Sequence, residues 1–272
     1  MPLELPTSLS PSKVSTFTDC ALAFRFSSID KLPEPPSIPT TRGTLVHAAL
    51  ERLFELPAAD RTMPAALTAL DRAMDALRLH RDFTGLALDA TAEAAFLDDA
   101  ERLVRRYFDL EDPRAITAIG LEIKLEATVG DLRLRGIIDR LDLDADGGLV
   151  VTDYKTGRAP RQNYEQSRLA GVHFYSLLCE RNFAQRPVKV QLLYLADPVA
   201  IVTTPTEQSI LGLERKVTAI WSAVERACAT DDFRPKPSKL CDWCAFQAYC
   251  PAFGGNPDDA KGVAADLVAS AG

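Results

Sequence analysis

Gly136-Ile137-Ile138-Asp139-Arg140-Leu141-Asp142-Leu143, a turn within Ala145 to Gly148, and then Leu149-Val150-Val151-Thr152-Asp153-Tyr154-Lys155 read as two antiparallel strands. A turn centred on Asp146 sets Asp139 opposite Asp153, with both side chains on one sheet face. Opposed residues carry their Cβ atoms about 4.5–5.5 Å apart, where like charges repel. Lys155 lies two residues beyond Asp153, so strand alternation brings its ammonium to the same face and sends Tyr154 to the other. The neighbours Ile137, Ile138, Leu141, Leu149, Val150 and Val151 are apolar, so these charges stand on a sheet that is at least partly buried, where unpaired charge is costly. Two readings fit. One is an ion triad in which Lys155 neutralises an aspartate; the other is a divalent-cation site, whose hard oxygen ligands suit magnesium or manganese.

Outward from this hairpin the pattern changes period. Residues from Ala115 onward alternate as a strand and turn at Gly130-Asp131, completing a three-stranded meander. Upstream the chain reads as helical. Ser10-Pro11 opens a helix running to about Ala23. After a proline-broken linker from Pro33 to Pro39, a second helix spans Gly43 to Leu56, with His47 and Glu51 four apart on one side. Two more cover Pro64 to Leu79 and Thr91 to Leu110. Downstream come a helix from Tyr164 to Glu180, strands at Val188–Ala196 and Ala200–Thr204, and a long helix from Glu207 to Ala229. No internal repeat is evident.

The 272 residues are 47% hydrophobic and 25% charged, a globular composition long enough to bury a core without disulfide or metal staples. Acidic residues outnumber basic ones, 38 to 31, for a net charge of −7, which excludes a uniformly basic coating protein and leaves room for a local basic cleft. No apolar stretch approaches the roughly 20 residues needed to span a bilayer, and the first residues lack a basic segment followed by an apolar run. The expectation is a soluble, cytoplasmic protein without membrane contact. In that reducing setting the six cysteines read as thiols or metal ligands. Cys241-x2-Cys244-x5-Cys250 gathers three of them in a turn-rich stretch. A zinc or iron–sulfur site needs a fourth ligand; His47, His80 and His173 are all distant in sequence, and Cys20 is the candidate. Cys179 and Cys228 fall on amphipathic helices and read as buried apolar fillers. No G-x-x-x-x-G-K-[ST] phosphate loop is present, so the sequence carries no P-loop motor.

The segments Gly136-Ile137-Ile138-Asp139-Arg140 and Val151-Thr152-Asp153-Tyr154-Lys155-Thr156-Gly157 resemble the G-x-x-D-R and D-Y-K-T-G motifs of RecB-like nucleases in the PD-(D/E)XK superfamily. Gly43-Thr44-Leu45-Val46-His47 is similar to that family's G-x-x-x-H helix. The resemblance covers Ser8 to about Phe253. It implies an α/β (α+β) fold with a restriction-endonuclease-like core, a central mixed sheet flanked by helices. It further implies that His47, Asp139, Asp153 and the Tyr154 backbone carbonyl bind Mg2+ or Mn2+, that Lys155 orients or activates the attacking water, and that in-line attack on phosphorus leaves a 5′-phosphate. Glu122, in Leu121-Glu122-Ile123, resembles a glutamate found on the strand before the hairpin, with a solvated face residue as its alternative. Tyr175 fits the family's Gln-x-x-x-Tyr helix, though it also fits a packed core. Gly171 stands at the glutamine position; Gln166 is out of register, and Gln166 or His173 would have to compensate.

Ser8-Leu9-Ser10 through Thr18-Asp19-Cys20 looks like the Ser-rich helix that ends in cysteine in iron–sulfur RecB-like nucleases of the AddB type. The resemblance then implies that Cys20, Cys241, Cys244 and Cys250 hold a [4Fe–4S] cluster, with Zn2+ as the alternative. Residues 1–30 and 233–254 would form a cysteine-stapled appendage of one nuclease domain spanning 1–254, followed by a disordered tail at 255–272. The implied activity is metal-dependent DNA cleavage, as an exonuclease on single-stranded DNA in repair or recombination, alone or beside a separate helicase. Arg140, Arg158 and Arg161, with Arg133, Arg135 and Arg168, offer charge for phosphates, ordinary solvated charge being the alternative for arginines on strands; Tyr164, Trp243 and Phe246 offer rings for bases, with core packing the default for these three. Two competing readings remain: a catalytically weakened DNA-binding or assembly module, motivated by Gly171, and a zinc-stabilised interaction protein.

Overall fold

The computed structural model describes residues 3–160 and 165–260, without the side chains of residues 165–170 and 172. Five strands form one sheet in the order β1 (Thr117–Val129), β2 (Leu132–Leu143), β3 (Leu149–Lys155), β4 (Lys189–Tyr194) and β5 (Val199–Thr203). β2 and β3 pair antiparallel from Leu143↔Leu149 to Arg140↔Thr152, the register that a turn at Asp146 requires. β3 and β4 pair parallel, with Asp153 beside Leu192 and Lys155 beside Tyr194, and the helix between them, Glu165–Phe183, makes the crossover that parallel strands need. β4 and β5 are antiparallel. The sheet is therefore mixed and flanked by helices, as the resemblance implies.

The longer helices before the sheet start at hydroxyl or carboxylate caps. α1 (Pro11–Asp19) has Ser10 accepting from the Lys13 N–H at 3.2 Å, and a short α2 (Ala21–Phe24) follows. A single helix running to Ala23 is not what forms: Cys20 is extended, with φ −161° and ψ 112°, and separates the two. α3 (Ile38–Phe54) begins inside the proline-rich stretch, where Ser37 caps it and Pro39 occupies its first turn, a position that needs no N–H. α4 (Met63–Leu77) is capped by Thr62, a short α5 spans Arg81–Thr84, and α6 (Ala90–Tyr107) is capped by Asp89. α7 (Glu165–Phe183) and α8 (Glu207–Thr230) complete the longer helices.

The chain divides into two compact units. One comprises Pro36–Leu125 and Gly136–Ile210 and holds most of the sheet. Its core joins Leu45, Val46, Leu50 and Leu53 of α3 to Met74 of α4, Val104 and Tyr107 of α6, and Tyr154 and Leu193 of the sheet, all buried. Each such side chain gains about 1.5–3 kcal/mol by leaving water. The other unit comprises Met1–Pro35, Glu126–Arg135 and Leu211–Gly272. Within it Leu9 bridges Leu134 at the tip of the β1–β2 hairpin, through Leu9 N–H to Arg133 O at 2.9 Å and Arg135 N–H to Leu9 O at 2.8 Å. Phe26 packs on Phe246 with ring centroids 5.5 Å apart. The part of the tail from residue 261 onward lies outside the described residues.

Candidate active site

β2 ends its ladder at Arg140↔Thr152, one residue short of the aspartates. Where the next pair would form, a side chain takes over: the Tyr154 N–H donates to Asp139 Oδ2 at 2.7 Å. His47 on α3 reaches the same place, with Nδ1 3.5 Å from Asp139 Oδ2 and Nε2 3.1 Å from the Tyr154 carbonyl oxygen. Gly43, one turn earlier, allows this approach. A Cβ there would stand 3.2 Å from Thr156 Oγ1, just past β3.

Glu122 arrives by an irregularity of β1. Its φ is +47°, the left-handed region, which L-residues other than Asn and Asp rarely adopt. The strand's inward parity changes across it: residues 118 and 120 are half-buried on one side of the break, and Leu125 and residues 127 and 129 on the other are the inward ones. One extra residue does this to a strand, kinking it and turning a side chain to a new direction. One ligand atom from each of His47, Glu122 and Asp139 lies within 4.8 Å of the other two, a separation that a single divalent cation can bridge, and an imidazole with two carboxylates is a donor set that Mg2+ or Mn2+ accepts.

The electrostatics fit a site waiting for positive charge. Burial, followed by the charges of Asp139, Glu51 and Asp153, pushes Glu122 up to about 7. Burial and then the Asp153 charge push Asp139 up to about 6, against His47, the Tyr154 N–H and Lys155. Asp153 is ion-paired through Oδ2 with Lys155, and its Oδ1 accepts from the Tyr175 hydroxyl at 3.4 Å. Burial works to lower the Lys155 ammonium, but the charge and hydrogen bond of Asp153 outweigh it and hold the group above its ordinary value. Burial, with Asp153 and Asp139, keeps the Tyr175 hydroxyl protonated far above neutrality. Tyr175 lies over Gly136, where a Cβ would meet its ring at 3.3 Å.

A cleft of about 470 Å3 opens beside these groups, lined by Gly43, Thr44, His47, Glu51, Glu122 and Thr156. Glu51 is a site residue that the sequence marks only by its spacing from His47. The four-residue interval along one helix face was the available signal.

Arg140 is not a phosphate contact. It is 0% exposed, and each of its five N–H groups has a partner: Nε on Asp142 at 2.8 Å, one terminal nitrogen on the hydroxyls of Tyr154 at 2.7 Å and Tyr107 at 3.2 Å, the other on Glu111 at 2.9 Å and Thr152 at 3.2 Å. Arg133 and Arg135 both pair with Glu126. Arg158 is exposed immediately after the motif, while Arg161 and Tyr164 lie outside the described residues and the side chains of Gln166 and Arg168 are not described. Gly171 is exposed, with nothing among the described residues within 4 Å of where a Cβ would be.

In the other unit Cys20, Cys241, Cys244 and Cys250 line one cavity of about 230 Å3. Burial raises the Cys244 thiol, opposed by the Phe246 N–H and reinforced by the charges of Cys20, Cys241 and Cys250. Cys179 and Cys228 are buried. Phe246 is also buried, whereas Trp243 is 87% exposed.

Residues 8–251 match the family model of the PD-(D/E)XK nuclease superfamily. The gene 69 protein of Mycobacterium phage D29 is 25% identical over 271 residues, covering 90% of this chain and 96% of that protein. One component of the ATP-dependent helicase/deoxyribonuclease of Streptococcus mutans is 29% identical over 166 residues, which is 58% of this chain and 15% of that much longer protein. Among solved structures, a Eubacterium rectale protein provisionally named an exonuclease superposes with a TM-score of 0.52 at 11% identity, covering 88% of this chain and 87% of that one; this likeness bears on the fold alone.

Proposed function

The chain belongs to the PD-(D/E)XK nuclease superfamily, and from that premise we propose that it is a divalent-metal-dependent deoxyribonuclease, acting as an exonuclease on single-stranded DNA in repair or recombination. The observation that carries the reading is the donor group of His47, Glu122 and Asp139 set beside the Asp153–Lys155 ion pair. These residues, with Asp153 and the Tyr154 carbonyl, would hold Mg2+ or Mn2+. The cation, when bound, supplies Lewis acidity to water and to a phosphate oxygen.

The chain's own groups do the rest. Lys155 stays an ammonium, so it orients water or a phosphate oxygen and offsets negative charge gathering on the phosphoryl group; it does not accept the proton. Tyr175 keeps its proton and steadies Asp153 by donating to it. Asp139 is fixed by the Tyr154 N–H, which limits the freedom of one carboxylate oxygen. Arg158, exposed just after the motif, would meet the DNA backbone.

Cys20, Cys241, Cys244 and Cys250 would hold a [4Fe–4S] cluster that staples chain segments together, in a reducing, cytoplasmic setting. Four thiols lining one cavity support a shared metal centre there. No helix among the described residues is long and apolar enough to cross a membrane. The Streptococcus mutans relative's name joins a helicase to a deoxyribonuclease, which favours work beside a separate helicase.

One observation favours a second reading, a DNA-binding or assembly module with weakened catalysis: a glycine, Gly171, stands where the resembling motif carries a glutamine. Cleavage of end-labelled single-stranded DNA by anaerobically purified protein, with Mg2+ or Mn2+, decides between them. Products from the parent that are absent from Lys155→Ala support the nuclease. A folded parent that binds DNA and yields no products supports the module.

A further inference from the structure

The buried cluster around Arg140 lies on the sheet face opposite the site carboxylates. Asp139 and Arg140 are consecutive on β2, as are Asp153 and Tyr154 on β3, so alternation sends each aspartate to one face and the residue after it to the other. The last backbone pair of these strands is Arg140↔Thr152. Beyond it the ladder no longer fixes their spacing, although this is where the ligating groups stand. Two side-chain bonds span the gap, both ending on Tyr154: Asp139 Oδ2 accepts its N–H at 2.7 Å, and its hydroxyl accepts from Arg140 at 2.7 Å.

Tyr154 thereby joins the two faces. Its main chain touches Asp139 through the N–H and His47 through the carbonyl, and its ring runs into the cluster behind. That cluster is closed by groups from separate elements. Glu111, beyond the end of α6, takes Arg140 at 2.9 Å and Gln191 of β4 at 2.6 Å; Gln191 also donates to Thr152 at 2.9 Å; and the guanidinium lies over the Phe54 ring of α3, 4.4 Å from its centroid. With every guanidinium N–H engaged in a planar fork, the position of the Tyr154 hydroxyl is over-determined, and a lysine, with three donors at one point, could not reproduce it.

We propose that Arg140 is a positioning residue: acting through the Tyr154 hydroxyl, it sets from behind the sheet the distance between the β2 and β3 groups that bind the cation. This rests on the metal-dependent reading given above. It makes Tyr154 matter through its side chain as well as through its carbonyl. Partners of this kind, which orient ligands without touching the ion, typically change metal affinity 10- to 100-fold when removed.

Tyr154→Phe and Tyr107→Phe test the idea as a matched pair. Each removes one hydroxyl from the same guanidinium nitrogen and keeps its buried ring, but only Tyr154 belongs to β3. The measurements are Mn2+ affinity by titration calorimetry in the absence of DNA, and kcat and KM for single-stranded DNA. The expected result is an affinity about tenfold weaker for Tyr154→Phe, with kcat reduced and KM little changed, against less than twofold for Tyr107→Phe even where both lose similar thermal stability. Equal Mn2+ affinities for parent and Tyr154→Phe, or equal losses in both variants, overturn the proposal and leave the cluster as packing. A parent that binds Mn2+ tightly yet never cuts DNA overturns the nuclease reading alone, because the calorimetric comparison still reads the positioning role. A folded parent that binds no Mn2+ overturns both.

Discussion

Gly43 and Thr156 meet so closely that a Cβ on the glycine would lie 3.2 Å from the threonine hydroxyl, tighter than ordinary van der Waals contact. This approach brings α3 against the end of β3 and lets His47 reach the Tyr154 carbonyl. Gly43→Ala removes a helix-interior glycine and so adds up to about 1 kcal/mol of helix propensity. Cleavage should nevertheless fall, by up to about tenfold, because the contact must open by a few tenths of an ångström and misplacement of about 1 Å costs about 100-fold. Thr156→Ala in the same chain removes the obstructing hydroxyl and should restore most of the rate. A double-mutant cycle on kcat checks this; no recovery would show that the contact is not what matters.

Glu122 places the fold and the site in opposition. Its left-handed backbone costs on the order of 1–3 kcal/mol in a residue with a Cβ. Glu122→Gly should therefore unfold at a higher temperature than Glu122→Ala, by about 1 kcal/mol in stability, while both lose metal-dependent cleavage. Thermal melts in EDTA together with activity assays separate the two effects. Equal melts would mean that the kink stores no strain.

Glu122, at about 7, and Asp139, at about 6, both titrate above the ordinary carboxylate range. The folded, metal-free protein thus keeps protons that the unfolded chain releases above about pH 4. Protons bound more tightly in the folded state stabilise it below the unfolded value, and that contribution is lost as pH rises through the folded one. In EDTA, the melting temperature of the parent should fall relative to Glu122→Gln as pH is raised from about 5 to about 8. Mn2+ binding should release protons near pH 6 and strengthen as pH rises, which calorimetry in buffers of different ionisation enthalpy measures.

For the cysteine centre, anaerobically isolated protein should show broad visible absorption and contain iron and sulfide. Cys20→Ser should lose that absorption and melt at a lower temperature. Stoichiometric zinc without visible absorption would replace the cluster assignment with the zinc alternative.

What was legible in the sequence follows from periodicity. The turn at Asp146 fixed the pairing of Arg140 with Thr152, and alternation brought Lys155 to Asp153 and turned Tyr154 away from them. Periodicity misled where the chain breaks its own rule. Glu122 sits at a kink that a regular strand reading smooths over, and Cys20 interrupts a stretch whose residues all suit a helix. Arg140 was misread for a different reason: a strand arginine looks solvated until Tyr107, Glu111 and Gln191, distant in sequence, supply its partners. Such a cage has no local signature.

The cysteine cavity also bears on how the protein is made. Cys20 belongs to the first segment of its unit and Cys241, Cys244 and Cys250 to the last, with Pro36–Leu125 and Gly136–Ile210 lying between them in the chain. A ribosome therefore finishes the helices and sheet that carry His47, Asp139 and Asp153 before the later thiols exist, and contacts so remote in sequence are slow to form. Any centre built on these thiols would thus be a late event in biogenesis, and a nascent chain stalled or clipped before Cys241 would carry the site residues with no means of closing that cavity.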